Sequence, residues 1–376
     1  MTKQRLHALD VLRGLTIACM ILVNTPGTWS HVYAPLCHSP WNGLTLADLV
    51  FPAFMFMMGL SMYISLRKFD FRLQTALAWK ILRRVVVLFA LGLFIYGLSG
   101  FLATWNAHYG EPGAWRAAFA SLADIRILGV LQRLALCYGV GALLVTSVRH
   151  RFLPYVIVGI LMAYYGLLLA GHGFSRGPES WLAQADQWLL GLSHMYNDHG
   201  IDPEGVLSTL PSVAHVLIGF CFGKICLERT RLENRLNRIF LYGTLCLLAG
   251  FLLQDVCPLN KKVWSPTFVL ATCGFSALCL AVLLWYMDMR GMLRHTLCFD
   301  VFGVNPLFCY VLSEVLVILL DYLPLQGQSV HQSVYGAMAS WCGDNAFTSL
   351  LYALLFVCVV GVMGYILYRK KIYIKI

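Results

Sequence analysis

Apolar runs of about twenty residues recur along this chain. Windows at about 9–24, 44–66, 81–103, 125–147, 152–170, 205–223, 238–254, 265–287, 297–320 and 348–368 are each long enough to cross a hydrocarbon core of ~30 Å as a helix. Inside lipid a backbone must pair its own N–H and C=O groups, so repeated runs of this length specify helices packed on helices. Composition points the same way: of 376 residues 59% are hydrophobic and 12% charged, with a mean hydropathy of +0.71. The expected fold class is all-α: a polytopic membrane helical bundle of about ten transmembrane helices forming one domain over 1–376, without a linker or internal repeat.

The opening stretch "MTKQRLHALD" leads into the first apolar run, which is not followed by a small-residue cleavage site, so that run is expected to remain as a span. Lys and Arg set the orientation. A cytoplasmic N-terminus puts both termini and the even-numbered connections on the inner side. With them go all 28 basic residues except Arg116, Arg126, Arg133, Arg176, Lys261 and Lys262. The net charge of +10 then reflects membrane orientation and does not call for nucleic acid. Most of the 13 cysteines fall in spans, as small packing residues; Cys37, Cys257 and Cys342 lie in outer loops, where a disulfide stays open. With no CxxC or HExxH pattern, no metal is expected. The longest outer segment, 171–204, contains "SWLAQADQWLLGL", a helix that either lies at headgroup depth through Trp181 and Trp188 or simply connects two spans.

Ionisable groups at membrane depth usually face a bundle interior or a water-filled cavity. Arg13 sits near the inner end of the first span and Asn24 at its outer end, while Asp48 lies about one turn inside the second. Arg126 is expected at the outer end of the fourth span, with Gln132 and Arg133 deeper on it. "DPEGVLSTLPS" places Asp202 and Glu204 at the outer surface and Ser208 and Thr209 just within. The ninth span carries Asn305-Pro306 near mid-membrane, then Ser313 and Glu314. Pro52, Pro211 and Pro306 read as helical prolines that free the carbonyls of Asp48, Leu207 and Phe302, which suggests a hydrated cavity open to the outside. Plain structural readings stand beside these: Arg133 neutralising Asp48 or Glu314, Ser208 and Thr209 bonded to their own helix, His215 satisfied in the core.

His38 differs, because it lies in a loop beside Trp41 and Asn42, ten residues before Asp48. An imidazole can exchange protons near neutral pH, and a carboxylate on its other nitrogen fixes the tautomer. An amide from Asn24 could donate to an oxyanion. The trio suits acyl transfer to an amine or hydroxyl, and also proton-coupled transport.

"LDVLRGLTIACMILVN" (9–24) followed by "HSPWNGLTLADLVFPAFMFMMGLSMYISL" (38–66) resembles the opening of the heparan-alpha-glucosaminide N-acetyltransferase family and its bacterial inner-membrane relatives. "RILGVLQRLALCY", "DPEGVLSTLPSV", "LNKKVWSPTFVL" and "GVNPLFCYVLSE" extend the likeness over nearly the whole chain. The resemblance implies transfer of acetyl from cytosolic acetyl-CoA to the amino group of a glucosamine unit on the far side of the membrane. It implies His38 as the catalytic residue, with Asp48 and Asn24 as its neighbours; direct attack in a ternary complex with His38 as base and an acetyl-histidine intermediate both stay open, and the ternary scheme is preferred because a thioester is already activated.

For the phosphate-bearing head of acetyl-CoA the candidates are Arg133, Arg126 and Arg13, with Gln132 and Asn305, and Arg83 or Arg84 at the inner end. Trp41, Asn42, Asp202, Glu204 and Ser208 are the candidates for holding the amino sugar. The resemblance makes a homodimer an expectation. The short N-terminus and compact loops favour a bacterial inner membrane over a lysosomal one. An O-acetyltransferase of envelope glycans and a proton-coupled sugar transporter remain alternatives.

Overall fold

The computed structural model describes residues 7–196, 198–292, 296–325 and 328–374. The chain runs through α1 (His7–Asn24), α2 (Leu46–Leu66), α3 (Thr75–Ala107), α4 (Ala114–Ala120), α5 (Val130–Ser147), α6 (Leu153–Ala170), α7 (Trp181–Leu190) and α8 (Thr209–Cys226). It continues with α9 (Leu232–Leu252), α10 (Pro266–Leu283, extended by a π-helical turn over Leu284–Met289), α11 (Leu297–Val304), α12 (Pro306–Tyr322), α13 (Val330–Cys342) and α14 (Ala346–Arg369). A two-residue antiparallel pairing, Pro324–Leu325 with Gln328–Ser329, is the sole sheet among the described residues. Nine of these helices are long and apolar enough to cross a membrane, or ten if the bent pair α11 and α12 counts as one, so the chain is a polytopic helical membrane protein.

The centre of the bundle is α2 against α8, both buried over most of their length, with α1, α5 and α10 around them. Contact between α2 and α8 is backbone to backbone. A Cβ added at Gly59 would sit 2.0 Å from the carbonyl oxygen of Val216, and one at Gly219 2.1 Å from that of Phe56. Lipid gives helices no hydrophobic reason to associate, so close approach through small residues supplies the packing. The outer helices α3, α6, α9 and α14 leave most of their surface free for lipid.

Three expectations for this framework need correction. The ninth span is not one helix: it breaks at Asn305 and turns by 85°, because Pro306 starts a new helix and cannot continue the old one. Asn305 is accordingly not a mid-membrane group. Its amide donates to the carbonyl of Ile372 at 2.8 Å and its side-chain oxygen accepts from the N–H of Ile374 at 2.9 Å, tying the break to the tail that follows α14. Pro211 lies in the first turn of α8, where no earlier helical carbonyl is deprived, whereas Pro52 is inside α2 as expected. All thirteen cysteines are free.

Candidate active site

The segment before α2 ends in Thr45-Leu46-Ala47-Asp48, a Thr followed three residues later by an acid, which is the pattern that begins a helix by reciprocal capping. Oδ2 of Asp48 accepts from the backbone N–H of Thr45 (3.2 Å), from the Thr45 hydroxyl (3.0 Å) and from the N–H of Ser39 (3.0 Å). Its other oxygen meets Nδ1 of His38 at 2.9 Å. The carboxyl is completely buried, while the His38 side chain is 43% exposed. A carboxylate surrounded by donors accepts, which favours the tautomer with the proton on Nδ1 and a lone pair on Nε2. The pair is a base with its orienting acid.

A second loop closes over this one. Gly43 N–H donates to the carbonyl of Leu259 (2.8 Å), and the Asn260 amide donates to Oδ1 of Asn42 (3.0 Å). The next residue is Lys261, whose Nζ lies 3.1 Å from Nδ1 of His38 and 3.4 Å from Oδ1 of Asp48. Burial pushes the Lys261 ammonium down from its ordinary range, and Asp48 and Glu204 oppose that shift. Three residues on, Trp264 adopts a positive φ of 53° and turns its ring into the core, edge-on to Phe51 at 5.4 Å.

The turn 202–208 forms a further wall. Arg126 binds Asp202 at 2.5 and 3.1 Å and Glu204 at 2.6 Å, and its guanidinium lies over the rings of Tyr96 and Tyr196. Burial raises the Glu204 carboxyl, but Arg126 and Arg133 outweigh it and hold the group below its ordinary range. Asp186 of α7 accepts the N–H groups of Asp202 (3.1 Å) and Val206 (2.8 Å), and burial pushes its carboxyl up to about 6. Arg133 is fully buried over the Trp264 ring, donating to the Gly205 carbonyl at 3.1 Å and to the Ser208 hydroxyl, with Nε and Nη1 unpartnered.

These positions redraw several expectations. Arg126 is not on the fourth span: Gly129 is extended and α5 starts at Val130, so Arg126 and Arg133 do not share a helical face. Both of Arg126's anionic partners are protein carboxylates at the His38 end, which leaves it no free edge for a cofactor phosphate. Arg133 neutralises neither Asp48 nor Glu314; it pins the turn at Gly205 and Ser208. Gln132 is fully buried against Gly92, and neither its amide nitrogen nor its oxygen has a partner. His215 is fully buried in α8 and faces the backbone of Pro52 in α2, as a core histidine. Trp41 donates to the carbonyl of Phe174 at 3.0 Å and carries Arg176 over its ring; Asn42 is engaged with Asn260.

Asn24 is exposed at the end of α1 and lines a cavity of about 50 Å³ with Asp321, His331 and Tyr352, a set that does not include His38. His331 there donates towards Asp321 (2.6 Å) and the carbonyl of Gly27 (3.0 Å) and stacks on Tyr352. At the other end of the bundle a cavity of about 260 Å³ is lined by Arg13, Ser61, Arg84, Leu134, Pro306 and Ile374, among others. Arg13 donates to the Ser61 hydroxyl and to Asp10. Lys261, His331 and Asp321 were not legible as site residues. The one signal for Lys261 was a basic residue kept in an outer loop against the prevailing charge bias.

A family model described as "Heparan-alpha-glucosaminide N-acetyltransferase, catalytic" matches residues 5–251. The chain is similar to the heparan-alpha-glucosaminide N-acetyltransferase of Homo sapiens, 28% identical over 434 aligned residues that cover 99% of this chain and 60% of the human protein. It is also similar to the Mus musculus protein of that name, at 27% over 430 residues with the same coverage. The chain thus spans about 60% of the length of these curated relatives.

Proposed function

The chain belongs to the heparan-alpha-glucosaminide N-acetyltransferase family, and from that premise we propose that it moves an acetyl group from acetyl-CoA to the amino group of glucosamine or a glucosamine-containing saccharide, across the membrane that holds it. The observation that carries this reading is the His38–Asp48 pair: an exposed imidazole whose Nδ1 is held at 2.9 Å by a buried carboxylate.

In this mechanism the acceptor presents a neutral amine to the thioester carbonyl. As the C–N bond forms, Nε2 of His38 takes the proton lost by nitrogen, and Asp48 stabilises the imidazolium. Collapse of the tetrahedral intermediate breaks the C–S bond, and the imidazolium returns its proton to the departing thiolate. The products are the amide and the free thiol of CoA. A ternary complex suffices, since a thioester is already activated. The acceptor stands against the rim formed by Trp41, the 202–208 turn and Lys261, where the partly exposed Glu204 can meet an ammonium or hydroxyl.

The donor enters from the opposite end. We assign its phosphates to the cavity of Arg13 and Arg84, on an end of the bundle that the distribution of Lys and Arg makes cytoplasmic. Ser61 and Met58 of α2 line that cavity, and Asp48 begins the same helix. Thirteen residues of helix separate Ser61 from Asp48, roughly 20 Å at 1.5 Å per residue, a distance for the extended pantetheine arm to cover. A bacterial cytoplasmic membrane with both termini inside fits this arrangement.

Release of CoA by the purified protein tests the proposal. Turnover with glucosamine that His38→Ala abolishes supports it. Turnover with glycan hydroxyl acceptors alone would make the protein an O-acetyltransferase, and no CoA release with either would return the reading to sugar transport.

A further inference from the structure

Lys261 belongs to neither of the elements that carry the base and its acid, yet its ammonium reaches both. Nζ stands 3.1 Å from Nδ1 of His38 and 3.4 Å from Oδ1 of Asp48. The placement is built. Leu259 and Asn260 pair with Gly43 and Asn42 immediately before it, and the Asn260 side-chain oxygen accepts the N–H of Val263 (3.1 Å). Ser265 then accepts from the N–H of Asn260 (3.1 Å) and closes the loop. The lysine is delivered to the imidazole by a rigid turn rather than by a free surface chain.

Nδ1 of His38 cannot both donate to Asp48 and accept from Lys261. The hydrogen bond goes to the carboxylate, and the ammonium acts on the ring through charge alone. A single buried carboxylate beside an imidazole favours the imidazolium, which cannot accept a proton from the acceptor amine. A cation on the same nitrogen edge opposes that. The other charges at this rim leave Lys261 as the cation responsible: Lys262 is paired with Asp198, Arg126 with Asp202 and Glu204, and Arg176 lies over the Trp41 ring. Glu204 acts on Lys261 from the 202–208 turn and favours its charged form.

We propose that Lys261 is a positioning residue that neutralises the Asp48 carboxylate and thereby keeps His38 unprotonated at working pH, so that it can serve as a base. The inference rests on the proposed role of His38. It adds that the working unit is three residues, Lys261, Asp48 and His38, drawn from two loops and a helix start.

The test compares Lys261→Gln, Lys261→Met and Lys261→Arg in the full chain, in detergent or lipid, with two readouts. The first is the pH dependence of kcat/KM for acetyl transfer. The second, independent of turnover, is the pH dependence of acylation of His38 by diethyl pyrocarbonate, read on the His38 peptide by mass spectrometry, since only the neutral imidazole reacts. Lys261→Gln and Lys261→Met should move both midpoints up by about one pH unit, with about tenfold loss of kcat/KM on the acid side, and Lys261→Arg should restore the parent profile. Midpoints in the Gln and Met variants that coincide with the parent's overturn the inference. If His38→Ala keeps full turnover, it is the base assignment that falls, and the acylation profile still decides whether Lys261 acts on His38.

Discussion

Thr45 and His38 share one carboxylate: Asp48 takes the Thr45 N–H and hydroxyl on Oδ2 and the His38 ring on Oδ1. The start of a helix and the aim of a base therefore depend on the same side chain, and substitutions can separate the two. Asp48→Asn keeps one acceptor for the cap but offers His38 an amide N–H or an uncharged oxygen. We expect kcat to fall by about 10²–10⁴ with a small change in unfolding temperature. Asp48→Ala also removes the cap, and its thermal midpoint should drop by the equivalent of about 1–2 kcal/mol more. Kinetics and thermal unfolding of the two variants side by side distinguish the effects.

Arg126 holds two carboxylates at the rim, one of them, Asp202, fully buried. Arg126→Met leaves both without their cation and is expected to destabilise the protein by about 3–5 kcal/mol. Arg126→Lys should recover only part of this, because an ammonium cannot reproduce the forked contact. Unfolding in detergent measures it, and equal stability of the Met variant and the parent would show that the ion pair is not structural.

Arg13 and Arg84 are assigned to the phosphates of the donor. Replacing either with Ala should raise KM for acetyl-CoA about tenfold with little change in kcat. With an acetyl thioester of pantetheine alone, which lacks the nucleotide phosphates, the same variants should match the parent. A loss of equal size with the truncated donor would assign these arginines to the fold instead.

His331 in α13 bridges Asp321 and the Gly27 carbonyl, two acceptors, an arrangement that suits an imidazolium. The hydrogen bond with Asp321 raises its proton affinity against the opposing effect of burial; the nearby Asp344 is engaged by Tyr335. A folded-state value raised above the ordinary 6.5 gives stabilisation that is complete below that value and is lost as pH rises through the folded one. Hydrogen exchange over residues 330–342, corrected for intrinsic rates, should therefore quicken as pH rises above the ordinary 6.5. In His331→Gln this pH dependence should disappear.

The sequence showed the elements whose signals are local. The apolar runs, apart from the broken ninth, and the ten-residue step from His38 to Asp48 each depend on a few neighbouring residues and are realised. Arg126 and Asn305 were misplaced because hydropathy continues across Gly129 and Asn305 while the backbone does not: an extended glycine and a proline at the start of α12 stop helices that composition would prolong. Lys261 and His331 lie 223 and 304 residues from the groups they meet, His38 and Gly27, and no pattern of spacing carries such a contact.

One feature of the core bears on which donors the protein can use. Gly59 is pressed on the Val216 carbonyl and Gly219 on that of Phe56, so α2 is packed backbone to backbone on α8. One continuous helix, α2, runs from the guanidinium-lined chamber at Ser61 to Asp48 beside the imidazole and sets the length between them. In the proposed reaction an acyl carrier anchored by its phosphates must match that length, so selectivity among thioesters should follow the reach of the arm more than the size of the nucleotide.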